Sequence, residues 1–255
     1  TLAVTKDKKN RAFLKWAGGK YKLIEDINAK LPQAKKLIEP FVGAGSVFLN
    51  THYSKYLLND INPDLINLYN IVKHQSTDYI TDSAKLFTSD YNEEKRYYQM
   101  RKEFNDSEDI YERAVYFLYL NRHGYNGLCR YNNSGKFNVP FGRYKAPYFP
   151  EKELSYFAEK SQLATFTCES FEKVFAKARK GSVIYCDPPY APISKTAMFN
   201  SYATGGFTLD NQIKLASLAS RTGYDRNIPV LVSNHDTEFT RDIYQGAELT
   251  KLQVS

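Results

Sequence analysis

Four consecutive residues, Asp187, Pro188, Pro189 and Tyr190, follow directly on the apolar run Val183, Ile184, Tyr185 and Cys186. A buried strand that runs straight into an acid, two prolines and an aromatic ring presents a carboxylate, stiff carbonyls and a flat face at the mouth of a sheet. That set suits a planar exocyclic amine, whose lone pair is delocalised into its ring and is therefore a poor nucleophile. Two acceptors gripping its two N–H bonds, the Asp187 carboxylate and the Pro188 carbonyl, would favour a pyramidal nitrogen with its lone pair turned outward. Proline fixes φ, so the carbonyl is aimed before anything binds, and Tyr190 offers its face to a base. A proline-rich loop closing a strand would account for the prolines and the tyrosine, but not for an acid placed first.

A second group of residues suits a ligand. In "EPFVGAGS", Gly43 and Gly45 let backbone approach a bound molecule, ahead of a helix starting near Ser46. Tight strand-to-helix turns also use glycine for packing alone, so the pair by itself leaves both readings open. The third glycine of the dinucleotide fingerprint is replaced by Phe48, which argues against a pyrophosphate ligand. Asp60 ends the next apolar stretch, where an acid accepts from ribose hydroxyls; the competing reading is a helix-cap or turn acid within "NDINPD". "KWAGGK" adds Trp16 and Lys20 around two glycines, or is a flexible entry to the helix "YKLIEDINAKL". A ligand with a ribose and an amino-acid carboxylate fits: ribose on Asp60, carboxylate near Lys20 and the helix amides. S-adenosyl-L-methionine has that form.

These groups need a scaffold, and the chain supplies one. "LIEPFVGAGSVFL" and "KYLLNDINPDLINLYNIV" each read as strand, turn and helix, the latter with a strand at Tyr56 to Leu58 and helical apolar positions Leu65, Ile66, Leu68, Tyr69 and Val72. Two such units in succession imply a parallel sheet with right-handed crossovers. The pattern resumes at "SVIYCDPPY", at a helix "TLDNQIKLASLAS" capped by Thr208, and at a strand in "IPVLVSNH". Between the halves, "DIYERAVYFLYLN" reads as a mostly buried helix, followed by a Gly-, Asn-, Tyr- and Arg-rich stretch suited to hydrogen bonding and stacking.

With 35 basic against 28 acidic residues in a chain of 255, the net charge of +7 favours a polyanionic partner. The hydrophobic share of 42% is that of a globular chain, not a disordered one. Cys129, Cys168 and Cys186 are odd in number and widely spaced, which indicates neither a disulfide framework nor a zinc site and fits a reducing cytoplasm. No apolar run approaches the ~18 residues of a membrane span, so no membrane partner is expected.

"RAFLKWAGGK", "EPFVGAGSVFLN", "LYLNR", "GYNGLCRYN", "FNVPFGRYK" and "CDPPYAP", in this order, closely resemble the Dam-type family of bacterial DNA adenine-N6 methyltransferases, and the likeness covers nearly the whole chain. The resemblance implies an α/β fold: a Rossmann-like methyltransferase core in residues 1–74 and 162–255, and an inserted, mainly helical target-recognition domain in 75–161 with a DNA-contacting β-hairpin loop at about 124–145. It implies S-adenosyl-L-methionine as donor, S-adenosyl-L-homocysteine as product, no metal, and duplex DNA containing GATC as partner, with the target adenine flipped out of the stack. It further implies a monomer working in the bacterial cytoplasm, at the nucleoid or as a phage protein in its host. Trp16, Lys20, Asp60 and Asp187 would contact the cofactor, Asp187 also meeting the adenine.

Within "GYNGLCRYN", Arg130 can donate two parallel hydrogen bonds to a guanine edge, Leu128 can meet a thymine methyl, and Tyr125 can wedge into the gap left by a flipped base. Packing of a β-hairpin would equally explain Tyr125 and Leu128, and a solvated or ion-paired arginine Arg130. Resemblance alone adds Asn126 near the gap, Pro140 beside a thymine, Lys15 on the first guanine, and phosphate contacts from Arg101, Arg122, Asn132, Asn138 and Lys145. It also implies a basic linker and a final β-hairpin beyond "LTKLQVS", which bounds a second reading: a DNA-binding protein of the same fold without turnover. A third is a methyltransferase of another exocyclic amine, cytosine N4 or a base in RNA.

Overall fold

Strands buried on both faces must be apolar throughout, and "SVIYC", buried at every position, is the clearest case. The computed structural model describes residues 8–191, 193 and 206–253; Pro192 of "CDPPYAP" lies outside them. A five-stranded sheet forms from β1 (Lys36–Glu39), β2 (Lys55–Asn59), β3 (Ala164–Thr167), β4 (Ser182–Cys186) and β5 (Val230–Val232). Its order is β3-β2-β1-β4-β5, with β1 parallel to both β2 and β4 and β4 parallel to β5. The α/β sheet expected from the strand-turn-helix repeats is therefore present. The strand between β1 and Asp60 runs from Lys55 to Asn59, one residue longer at each end than its apolar core Tyr56 to Leu58.

The chain divides into two compact units. The first takes the described residues of Thr1–Ile24, Gly43–Thr51 and Asn62–Phe166; the second takes those of Glu25–Val42, His52–Ile61 and Thr167–Ser255. The unit that holds the expected recognition segment thus extends beyond residues 75–161.

In the second unit, Ile38, Leu57, Ile184 and Cys186 from the strands pack on Phe171, Val174 and Phe175 of a helix Phe171–Lys177, and on Leu215 of the helix Leu209–Tyr224. Thr208 caps the latter, accepting from the Asn211 amide at 3.1 Å, as its place in the sequence predicts. Helix Glu238–Ile243 follows β5.

The first unit is helical. Helix Pro63–His74 buries Leu65, Ile66, Leu68, Tyr69, Ile71 and Val72. Helix Ile110–His123 is buried from Phe117 through His123 on all sides, which removes any amphipathic stripe. Around them lie Ser76–Ala84, Glu94–Asp106 and Glu151–Lys160. The segment after His123 pairs its two arms through isolated antiparallel bridges, Gly124 with Phe141 and Tyr131 with Phe137, and through backbone bonds from the Tyr125 amide to Pro140 O (2.9 Å), the Asn138 amide to Arg130 O (3.1 Å) and the Gly142 amide to His123 O (2.8 Å). The loop is also tied to the helix Glu94–Asp106: Asn105 accepts from the Phe137 amide at 2.7 Å and donates to the Phe137 carbonyl at 2.9 Å, while Tyr97 Oη and Arg101 Nη1 donate to the Val139 carbonyl at 2.9 and 3.0 Å.

Candidate active site and nucleic-acid interface

The sheet order reverses direction between β1 and β4, and in open α/β sheets ligands bind outside the carboxyl ends of the strands at such a point. Register places three acids at that edge in the second unit. Glu39 ends β1 opposite Leu58, Asp60 follows β2, and Asp187 follows β4. Asp187 and Glu39 both act on β4: with burial first, they push the Tyr185 hydroxyl and the Cys186 thiol well above their ordinary pKa values. Cys186 is fully buried in the core cluster, so it stays a protonated thiol and is not a nucleophile.

Asp60 is not the cap of the following helix. Asn62 does that work, its Oδ1 accepting from the Asp64 and Leu65 amides at 2.9 and 3.3 Å. The competing reading of Asp60 as a capping acid is thereby removed. Its backbone is held instead, the Asp60 amide donating to Thr167 O at 3.2 Å. Beside it the buried Asn59 donates to the carbonyls of Pro40 (3.0 Å) and Glu169 (2.9 Å) and accepts from Thr167 Oγ1 (2.8 Å) and the Glu169 amide (2.9 Å). One buried amide therefore ties the exit of β1 to the exit of β2. Its place in "LLNDIN" gave no signal of this.

Asp187 and Tyr190 are half-buried, Pro188 is buried and Pro189 is exposed. The Pro189 carbonyl is already engaged, accepting from Gln212 Nε2 at 2.7 Å. Tyr190 packs edge-on against His235, ring centres 4.6 Å apart at 78°. Gln212 and His235 are residues that sequence reasoning assigned only to a helix and to the end of a strand.

In the first unit, Gly43 and Gly45 have φ of 51° and 82°, left-handed values that favour glycine. A Cβ on Gly43 would sit 3.1 Å from Trp16 Nε1, so the indole lies directly over this glycine. The Gly43 carbonyl accepts from the Tyr69 hydroxyl. The helix after Gly45 is a single turn, Ser46–Leu49, too short for much macrodipole. The amides expected to face a ligand thus belong to one helical turn, with the indole face of Trp16 beside it. Lys20 is buried, its ammonium donating to the Gly18 carbonyl at 2.6 Å. Gly43→Ala should destabilise the protein by on the order of 1–2 kcal/mol, since a left-handed alanine carries that strain. A urea titration against the native chain measures it, alongside weakened binding of S-adenosyl-L-homocysteine.

The expected base-reading residues all lie in this unit. Tyr125 is half exposed on a pinned backbone, its amide donating to Pro140 O at 2.9 Å. Asn126 holds φ of 53°, its amide donating to the Tyr144 hydroxyl at 2.8 Å. Leu128 is half-buried and Pro140 exposed. Arg130 is exposed but oriented: Nε donates to Asn138 Oδ1 at 2.8 Å and Nη2 to Asn138 O at 3.2 Å. Lys15 has its backbone clasped on both sides by Asn121, at 2.9 and 2.7 Å, and its ammonium 4.2 Å from the centre of the Tyr144 ring. Burial, then Arg122, lowers the pKa of that ammonium.

The expected phosphate contacts fall into two sets. Lys145 is exposed, and Asn132 closes the turn of the loop, its Oδ1 accepting from the Ser134 and Lys136 amides at 3.0 Å each. Arg101, Arg122 and Asn138 hold structure: Arg101 binds Val139 O, Arg122 is buried with Nε and Nη2 on Phe13 O, and Asn138 orients Arg130. Tyr144 and Asn121 were missed as supports, since neither a lone tyrosine nor a helical asparagine has a recognisable spacing. Among the described residues, no group of three or more His, Cys, Asp or Glu side chains could hold a metal ion, and no helix is long and apolar enough to cross a membrane.

Known proteins of the same pattern exist. Proteins described as DNA adenine methylase from Vibrio cholerae serotype O1, Serratia marcescens and Escherichia coli K12 are 58%, 60% and 60% identical to this chain. The alignments cover 97%, 95% and 97% of this chain and 90%, 90% and 88% of those proteins. The profile of the D12 class N6 adenine-specific DNA methyltransferases matches residues 16–254, which include the glycine turn, Asp60, the recognition loop and Asp187 to Tyr190. With acids gathered at the switch point of a parallel sheet and that match over almost its whole length, this chain belongs to the family of D12 class N6 adenine-specific DNA methyltransferases.

Proposed function

We propose that the protein transfers a methyl group from S-adenosyl-L-methionine to N6 of adenine in duplex DNA at GATC. The observation that carries this reading is the placement of Asp187, Pro188, Pro189 and Tyr190 at the carboxyl end of β4, next to the central strand β1. Relatives near 60% identity described as DNA adenine methylases support it.

The cofactor's chemistry suits the residues. Gly43 lets the Trp16 indole pack on the turn without a Cβ in its way, Asp60 offers a carboxylate for ribose hydroxyls, and Lys20 a cation for the amino-acid carboxylate. When bound, S-adenosyl-L-methionine supplies an electrophilic methyl on a positively charged sulfur. The chain's own part is to grip the flipped adenine: Asp187 and the Pro188 carbonyl accept from the two N6–H bonds, and Tyr190 stacks on the ring. Asp187 also stabilises the positive charge that builds on N6 and draws off its proton. With Cys186 buried and protonated, transfer is direct, without a covalent enzyme intermediate.

For the target, Tyr125 wedges into the stack with Asn126 beside the gap, Arg130 reads a guanine, Leu128 and Pro140 meet thymine, and Lys15 meets the first guanine. Lys145 and Asn132 touch phosphate, as do Arg101, Arg122 and Asn138 with the donors their structural bonds leave. Such contacts make affinity fall with salt. The protein works as a monomer in the cytoplasm of a bacterial cell.

Incorporation of labelled methyl into a GATC duplex, against the same duplex with the target adenine replaced, tests the assignment. Label should enter the first alone, and equal incorporation overturns site specificity. Arg130→Ala should cost about 1–3 kcal/mol in kcat/KM on GATC and relax preference at one guanine. A panel of singly substituted duplexes reads this, and a uniform loss over all of them would mean that Arg130 touches only phosphate.

A further inference from the structure

We infer that Gln212 and Asn234 are positioning residues for methyl transfer, forming with His235 a splint that fixes the backbone on both sides of Tyr190. The inference rests on the reading of Asp187 to Tyr190 as the segment that grips the amine.

The two prolines fix their own φ angles but leave the backbone at Tyr190 unconstrained. The second unit supplies the constraint from helix Leu209–Tyr224 and the segment after β5. Gln212 is buried at 1% exposure. Its Nε2 donates to Pro189 O at 2.7 Å, and its Oε1 accepts from Asn234 Nδ2 at 2.9 Å. Asn234 Oδ1 in turn accepts from the Ala191 amide and from the His235 amide, both at 2.9 Å. His235 Nδ1 closes the circuit on Ala191 O at 2.8 Å.

The polarity of this chain is forced from its ends. A carbonyl only accepts, so Gln212 must turn its NH2 to Pro189; its oxygen is left for Asn234, whose own oxygen is left for the Ala191 N–H. Reversing either amide breaks all of that amide's own links. The Ala191 carbonyl likewise requires a proton on His235 Nδ1, whose ring then backs Tyr190 edge-on. Pro189 and Ala191 are thus both held, and Tyr190 is carried between them. A buried polar chain of this kind, ending on the residues either side of the stacking ring, sets where that ring meets a base.

Gln212→Glu is isosteric but places an acceptor oxygen against Pro189 O until the new carboxyl is protonated. Single-turnover methyl transfer to a GATC duplex, Kd for the duplex and for S-adenosyl-L-homocysteine, fluorescence of a base analogue at the target position, and the urea midpoint are compared at pH 8 and pH 6. Each is taken as a ratio to the native chain, because Asp187, Glu39, Tyr185, Tyr190 and His235 face the same region. The expected result is a rate about 30-fold lower at pH 8 with both Kd values within about threefold, an altered analogue signal, and recovery of most of the rate at pH 6. Asn234→Asp, which keeps the acceptor for Ala191 and loses the donor to Gln212, should show the same split if Gln212→Glu folds poorly. Native-like rates in both variants, or losses that merely follow folded fraction or duplex affinity, overturn the inference. Asp187→Ala is assayed alongside: if it retains turnover, the amine-gripping reading fails, whereas an inactive Asp187→Ala beside native-like splint variants sinks the splint alone.

Discussion

Asp187→Ala should lower the single-turnover rate of methyl transfer by about 10³-fold while duplex affinity stays within a few-fold of native. Removing one well-aimed hydrogen-bonding group from a site where charge develops costs about 10²–10³ in rate, and Asp187 contributes a full charge as well as an acceptor. The contribution grows in the transition state, because the amine it grips is neutral in the ground state and gains positive charge as the methyl transfers, while the duplex contacts lie on other residues. Asp187 shares its edge of the sheet with Glu39, and both raise the pKa of Tyr185 and Cys186; the urea midpoint of the variant separates a lost reaction from a lost fold. Rapid-quench kinetics with a GATC duplex, together with a urea titration, checks both halves. Retained turnover would remove the role given to Asp187, and a loss of folding would make the residue structural.

Acid should destabilise the first unit through a single buried histidine. His123 ends helix Ile110–His123, buried at 1% exposure, stacked on Tyr119 with ring centres 4.1 Å apart and with Nδ1 donating to Tyr119 O at 2.9 Å. A helix carboxyl end favours an imidazolium, but here burial dominates, and Lys15 adds to it, so the pKa falls from 6.5 to about 4. The folded state therefore favours the neutral ring. Above pH 6.5 neither state carries the proton and the full stability is present. As pH drops from 6.5 towards 4, the unfolded chain takes up a proton that the folded chain refuses, and about 3 kcal/mol is lost across that window. His123→Gln removes this titration. Urea unfolding at pH 7.5 and 4.5 should show the native chain losing most of that amount beyond what the variant loses; equal losses would show that His123 is accessible to protons. The consequence reaches recognition, since the His123 carbonyl accepts from the Gly142 amide at 2.8 Å at the root of the loop that carries Tyr125 and Arg130.

Much of the scaffold is legible in the residues because local and global demands agree. "SVIYC" can only be a strand buried on both faces, Thr208 sits where a helix needs a cap, and the 3.6-residue spacing of Leu65, Leu68, Tyr69 and Val72 matches the buried face of Pro63–His74. The chemistry of Asp187 to Tyr190 is legible for the same reason: it is contiguous, and its meaning depends on one strand ending where it does. Gly43 is legible as a left-handed turn, although only the Trp16 indole over it explains why a side chain is excluded there.

The remainder was decided by tertiary structure, because it joins residues far apart in sequence whose types alone are ordinary. Arg101 and Arg122 read as cations awaiting phosphate, yet carbonyls of Val139 and Phe13 lie within reach of their guanidinium groups. Asn59, Asn121, Gln212 and Asn234 carry no periodic or motif signal, since one buried amide looks like any polar residue until its partners are known. The loop at 124–145 pairs its own arms through isolated bridges, but its bonds to Asn105 of a neighbouring helix have no signal in the sequence. Sequence alone determined which residues could perform the reaction. Folding decided which of them are held in position, because a buried backbone group must find a partner wherever the fold places one.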